Sequence, residues 1–248
     1  MVKLKDLLTE GVMDQGILKA VFLAGGPGSG KSFVAGEIFG IPKKVNVSAY
    51  GLKLVNQDKE LTRMLNKYGF GTDLDDMPEE LFRQLTDPDY EDYSGMRGRA
   101  KELTDQRKKM YMNGRLGLII DGTSHKYGKI LEHKRELEAI CYDCYMVFVH
   151  TDLDVAQQRN MERPRKLNPE LVETSWNEVQ KNRISFQGLF GNANFLMVDN
   201  SKTLDEKKAK DKFDMLMKKG INKFIKQPIK NYLGKKWIEK QLILKGIK

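Results

Sequence analysis

Val21-Phe22-Leu23-Ala24-Gly25-Gly26-Pro27-Gly28-Ser29-Gly30-Lys31-Ser32 is the stretch on which the fold turns. Its last eight residues fit G-x-x-x-x-G-K-[ST] at every fixed position, and its first four read as a short buried strand. Residues 33–39 can then open a helix. Strand, glycine loop and helix together make a phosphate site: glycines let backbone N–H groups converge on phosphate oxygens, and the helix N-terminus adds partial positive charge. Gly26, Gly28, Ser29 and Gly30 form the cradle, Lys31 is spaced to reach the β- and γ-phosphates, and the Ser32 hydroxyl to ligate Mg²⁺.

Downstream, Gly40-Ile41-Pro42 is a helix stop, and Leu52-Lys53-Leu54-Val55 is the next apolar run, ending at Asn56-Gln57-Asp58. Asp58 can cap the helix patterned over residues 59–67. It also stands at the carboxyl end of a strand, where open parallel sheets form their ligand crevice. A charged helix over residues 98–112 precedes Leu118-Ile119-Ile120-Asp121-Gly122-Thr123, a strand ending in an acid about ninety residues after the glycine loop. That Walker B pattern sets the Asp121 carboxylate beside the Mg²⁺ held by Ser32.

A helix over residues 129–140 leads to the apolar strand 144–149, which ends in His150-Thr151-Asp152. The next helix carries Arg159 and Arg163 four residues apart, on one face. Arg163-Pro164-Arg165-Lys166-Leu167-Asn168-Pro169 is a basic turn, and helical spacing resumes over residues 170–185. Helix, basic turn, helix is the layout of a lid, here about 157–169, whose arginines could neutralise charge on a transferring phosphoryl group. The strand 195–198 ends in Asp199-Asn200-Ser201. Five strands alternating with helices predict an α/β, three-layer P-loop NTPase fold around a five-stranded parallel sheet.

The net charge of +9 is unevenly spread. Residues 202–248 hold fifteen lysines against five acids, a balance of +10, which leaves −1 for residues 1–201. The predicted division is therefore a phosphate-loop (P-loop) domain over 1–201 and a basic helical extension over 202–248. Between Asp73 and Asp92 lie nine acids against Arg83 alone, so the acidic insert at about 69–95 would repel a polyanion or dock on the basic tail. Cys141 and Cys144, spaced C-x-x-C, lack partners for a zinc site and read as ordinary thiols. No apolar run reaches the roughly 18–20 residues of a membrane span and no signal-peptide pattern is visible, so no membrane partner and a cytoplasmic location are expected. Oligomeric state is not legible in this pattern.

The chain resembles the P-loop kinases grouped around zeta toxins and the 5′-hydroxyl polynucleotide kinases. The resemblance covers about residues 18–201 and rests on GGPGSGKS, NQD (56–58), LIIDGT (118–123), QQRNMERPR (157–165) and FLMVDNS (195–201). It implies ATP as donor, a strand order of 2-3-1-4-5, and Asp58 as the base that takes the acceptor hydroxyl's proton. It sets Asp121 and Thr123 beside metal and acceptor, and Arg159 and Arg163 against the ATP phosphates and adenine. Such kinases often carry a substrate-holding arginine three residues after the aspartate; this chain has Leu61 there and offers Arg63 instead. The functions in view are a kinase for a small-molecule, nucleotide or nucleotide-sugar hydroxyl, a 5′-hydroxyl polynucleotide kinase gripping nucleic acid with the tail, and an NTPase switch.

Overall fold

Strand β1 (Lys19–Ala24) runs through the centre of the sheet and is buried along its whole length, as is β4 (Asp143–His150) apart from its two ends. Parallel strands covered on both faces by helices need such continuous apolar runs. The two faces of β1 feed separate cores: Ala20, Phe22 and Ala24 join one cluster, Val21 and Leu23 the other. Strands β2 (Lys53–Val55), β3 (Leu118–Asp121) and β5 (Phe195–Asp199) complete a parallel sheet of order β2-β3-β1-β4-β5. This is the expected order. In register, Leu23 lies beside both Asp121 and Val147, so the strand ends gather around the glycine loop.

The computed structural model describes residues 12–41, 47–48, 50–69, 80, 95–122, 126–162, 167–202, 206–216 and 220–246. Outside them lie the amphipathic start at residues 4–8, most of the acidic insert, Thr123, and the turn 163–166 with Arg163.

The helices are α1 (Lys31–Phe39), α2 (Gln57–Lys67), α3 (Met96–Asn113), α4 (Tyr127–Ala139), α5 (Leu153–Met161) and α6 (Pro169–Phe190). Beyond β5 come α7 (Glu206–Leu216), α8 (Asn222–Lys226) and α9 (Tyr232–Leu244). Gly40 ends α1 in the left-handed conformation, as the stop signal predicts. Helix α6 runs five residues past the expected end at Ser185. Phe186 and Phe190 continue the buried stripe of Val172 and Val179, and the Phe190 ring meets that of Phe22 edge-on at 5.3 Å. Asp58 is not the cap of α2. Asn56 takes that place, its Oδ1 accepting from the Lys59 N–H at 2.7 Å, and Asp58 falls in the first turn.

The change of charge at residue 202 is not an edge of the core. Ile221, Phe224 and Ile225 are buried against α1 and the strands, Ile229 is buried on the opposite face, and Trp237 and Ile238 pack beside it. Lys19, 1% exposed, pairs with Asp143 at 2.9 Å, and Asp143 also accepts from the Lys230 N–H at 3.2 Å. Burial lowers the Lys19 pKa, with Asp143 opposing. Cys144 is buried, and burial pushes its thiol pKa up; Cys141 is half-buried, and both are free. Among the described residues, no helix is long and apolar enough to cross a membrane.

Candidate active site at the glycine loop

The loop leaves β1 at Ala24 and enters α1 through Gly30, with Gly28 and Gly30 at φ 71° and 79°. Space as well as conformation demands glycine here. A Cβ at Gly28 would sit 2.2 Å from the Ala156 carbonyl oxygen, and one at Gly30 2.4 Å from Asn200 Nδ2. The Lys31 ammonium lies on the loop itself, donating to the carbonyls of Gly25 at 2.7 Å and Gly26 at 3.3 Å. Ser32 is exposed in the first turn of α1. The buried Ser29 hydroxyl finds no hydrogen-bond partner among the described residues.

The ends of β4 and β5 fasten this loop from behind. The Ser29 carbonyl accepts from Thr151 Oγ1 at 3.0 Å and from Asn200 Nδ2 at 2.9 Å. Arg159, on α5, donates from Nη1 to the Asn200 carbonyl at 2.9 Å, which sets its guanidinium near Gly30. Trp176, on α6, donates from Nε1 to the Thr151 carbonyl at 2.7 Å and packs against Gly26.

On the other side of β1, Asp121 ends β3 and accepts from Asn56 Nδ2. Burial raises the Asp121 pKa; Lys31, the Asn56 hydrogen bond and Lys59 oppose the rise, while the Asp58 charge adds to it. Asp58 is exposed on the first turn of α2 and close enough for its charge to be felt at Asp121. Asp58, Asp121 and Lys31 thus lie at or just past the carboxyl ends of β2, β3 and β1, the edge at which an open parallel sheet binds ligands. Burial lowers the Lys59 pKa, against the attraction of Asp121.

Arg63 points into a different contact. Its Nη2 donates to Glu60 Oε1 at 2.7 Å and its Nε to the same oxygen at 3.1 Å. Glu60 is 3% exposed and also pairs with Arg107 of α3, so these side chains pin α2 to α3. Thr123 and Arg163 lie outside the described residues.

Sequence reasoning assigned no role to Asn56, Thr151, Trp176 or Asn200. Asn56, Thr151 and Asn200 each follow the last residue of a strand or lie one beyond it, a position that could have flagged them. Trp176 had no such signal, because its contact arises from helix packing.

The residues fit a magnesium nucleotide. Gly28 and Gly30, both left-handed, place no Cβ where the loop turns, a helix of nine residues begins at its end, and the orphaned Ser29 hydroxyl belongs to it. Lys31, Ser32 and Asp121 are the side chains that would meet the phosphates and the metal.

Residues 21–185 match the family model described as an AAA domain. Solved structures are similar to the chain at low identity. A chain of the AvrRxo1-ORF1:AvrRxo1-ORF2 complex with sulphate ions is 13% identical with a TM-score of 0.51, the match covering 78% of this chain and 58% of that one. A chain of the PezAT toxin–antitoxin system of Streptococcus pneumoniae is 16% identical with a TM-score of 0.49, over 94% of this chain and 91% of that one. Shikimate kinase from Acinetobacter baumannii, in complex with shikimate, is 13% identical with a TM-score of 0.40, over 86% and 96% of the two chains. No curated protein matches the chain.

Proposed function

The chain belongs to the AAA domain family, and we propose that it is a phosphotransferase moving the γ-phosphate of ATP to a hydroxyl of a small-molecule, nucleotide or nucleotide-sugar acceptor. The observation that carries this reading is the placing of Asp58, on the first turn of α2 just past β2, and Asp121, at the end of the neighbouring β3, so that the charges of Asp58 and Lys31 both act on Asp121. A loop that only held a nucleotide would not need a second, exposed carboxylate across the crevice.

Magnesium and ATP supply the electrophilic phosphorus and neutralise charge on the phosphate oxygens. The chain's residues do the rest. Lys31 would leave the loop carbonyls for the β- and γ-phosphates, and Ser32 and Asp121 would hold the metal. Asp121, buried and tied to Asn56, is spoken for. Asp58, exposed at the mouth, is the carboxylate that can reach an entering hydroxyl and take its proton. The acceptor oxygen then bonds to the γ-phosphorus, the bond to the β-bridging oxygen breaks, and ADP leaves. Arg159, with Arg163, would offset charge on the equatorial oxygens.

The test is transfer of labelled γ-phosphate to nucleosides, nucleotides, sugars and 5′-hydroxyl oligonucleotides. Lys31→Ala should abolish transfer, and Asp58→Asn should lower it by roughly 10²–10⁴, the range for a general base. Transfer by Lys31→Ala at the wild-type rate would overturn the site. ATP hydrolysis that runs equally fast without any acceptor would favour an NTPase switch instead.

One observation supports the nucleic-acid alternative. On α9, Tyr232 is 66% exposed with Lys236 Nζ 5.5 Å from its ring centroid, and Lys235 and Lys240 are exposed beside it. Trp237 is less suited to stacking, since it packs on the core beneath the Arg115 guanidinium. Steeply salt-dependent oligonucleotide binding, lost on changing Lys235, Lys236 and Lys240 to Glu, would favour that reading.

A further inference from the structure

Between its strand and its helix the phosphate loop makes one tight turn. The Ser29 N–H donates back to the Gly26 carbonyl at 3.3 Å, so Gly26 and Ser29 are the two ends of the segment that curls around a phosphate. Both ends are tied to the same residue. Trp176 packs on Gly26, its Cα 3.4 Å from where a Cβ there would stand. Its indole N–H holds the Thr151 carbonyl, and the Thr151 hydroxyl reaches the Ser29 carbonyl at 3.0 Å, sharing its one proton with the His150 carbonyl at 2.8 Å. Thr151 is 1% exposed, so water cannot readily replace either bond.

We propose that Trp176 is a positioning residue for the triphosphate, setting the turn from Gly26 to Ser29 through its own packing and through Thr151. This inference rests on the reading of the loop as a nucleoside triphosphate cradle. Amides that must converge on phosphate oxygens bind best when the turn that aims them is already fixed, because the ordering cost has been met before binding. Arg159 makes the matching connection on the other side: it holds the Asn200 carbonyl, and Asn200 holds the Ser29 carbonyl. The Ser29 carbonyl is therefore the point where α5, α6 and the ends of β4 and β5 act on the loop. The indole has a single N–H and it is spent on Thr151, so phenylalanine removes that bond while keeping most of the packing. The coupling is reciprocal: what α6 does to the loop, a bound nucleotide must do to Trp176.

The experiment uses the full chain with Mg²⁺ and ATP. Trp237→Phe leaves Trp176 as the lone indole of a chain that has two tryptophans, and its fluorescence should change as ATP is added. Calorimetric titration should show Trp176→Phe binding ATP about fivefold more weakly, the usual effect of one lost buried hydrogen bond. Thr151→Val should weaken binding to a similar degree, and Thr151→Ser, which keeps the hydroxyl, should restore it. Because the two substitutions break successive links of one path from the indole to the Ser29 carbonyl, the double variant should lose clearly less than the product of the two single losses. In turnover, KM for ATP should rise while KM for the acceptor stays put. Wild-type ATP affinity in both Trp176→Phe and Thr151→Val, or fully multiplicative losses in the double variant, would overturn the proposal and leave the cradle reading intact. A wild-type chain that fails to bind ATP would overturn the cradle reading, and this proposal with it.

Discussion

Replacing Phe224 by alanine asks whether the lysine-rich C-terminal stretch is part of the structural core. Phe224 is 4% exposed; its ring lies 4.9 Å from that of Tyr145, tilted by 40°, and Lys19 Nζ stands 4.9 Å from its centroid. Truncating a buried phenylalanine typically costs about 3–5 kcal/mol through lost transfer energy and the cavity left behind. The aromatic pair, worth about 0.5–1.5 kcal/mol, falls within that figure. Lys19 would lose its ring contact and keep only Asp143, which places the expected loss in the upper half of the range. Against a typical total of about 5–15 kcal/mol the variant should be severely weakened. Equilibrium urea unfolding, followed by circular dichroism, reads the effect: with an m-value near 3 kcal/mol/M the midpoint should fall by more than about 1 M. Leu233→Ala, at a side chain 66% exposed, is the control and should stay within about 0.5 kcal/mol. A loss below about 1 kcal/mol for Phe224→Ala, at unchanged m, would refute the placement of this segment in the core. If the placement holds, cutting at residue 202 would remove core residues along with the lysines, so charge reversal on α9 is the cleaner probe of nucleic-acid binding.

Burial raises the Asp121 pKa, so the folded protein holds that proton more tightly than the unfolded chain and loses stability as pH rises from about 3.9 through the folded value. The nucleotide-free Asp121→Asn variant should therefore unfold at a higher temperature than the wild type at pH 7, with the gap closing as pH is lowered towards 4; a gap independent of pH would refute the assignment. Arg63→Ala should cost no more than about 1 kcal/mol, because its side chain is 66% exposed and Arg107 keeps Glu60 paired. Removing Arg63 and Arg107 together strands a buried carboxylate and should cost about 3–5 kcal/mol; equal losses in the single and double variants would show that Glu60 is not the hub of this contact.

Much of the fold was legible because its decisive signals are local. The buried run 21–24, the left-handed glycines and the helix stop at Gly40 are each set by a few neighbouring residues, and the structure has them in place. The strand order came from the family resemblance, since apolar runs alone do not say which strand lies beside which. The end of α6 was misjudged because Phe186 and Phe190 continue a stripe whose phase shows only against Phe22 across the core. The C-terminal segment was read by its charge. Its lysines hide Ile221, Phe224, Ile225 and Ile229, four apolar side chains whose burial depends on surfaces offered by β1, β4 and α1.

The same division runs through the site. The loop, Asp121 and Arg159 could be named as candidates because motifs constrain side chains at fixed spacing. The clamp behind the loop could not, because its central acceptor is the main-chain carbonyl of Ser29, an atom every residue has. The proposed acceptor side is harder still. Asp58 rides on α2, and α2 is held to α3 by Glu60 and Arg107, residues forty-seven positions apart in the chain. Asn56 caps α2 with its side-chain oxygen and holds Asp121 with its nitrogen, so one side chain links the helix that carries Asp58 to the strand that carries Asp121. The distance between the two carboxylates is thus set by Asn56 and by the α2–α3 contact together. Where an acceptor hydroxyl would lie is a property of that tertiary contact, and no single window of sequence contains it.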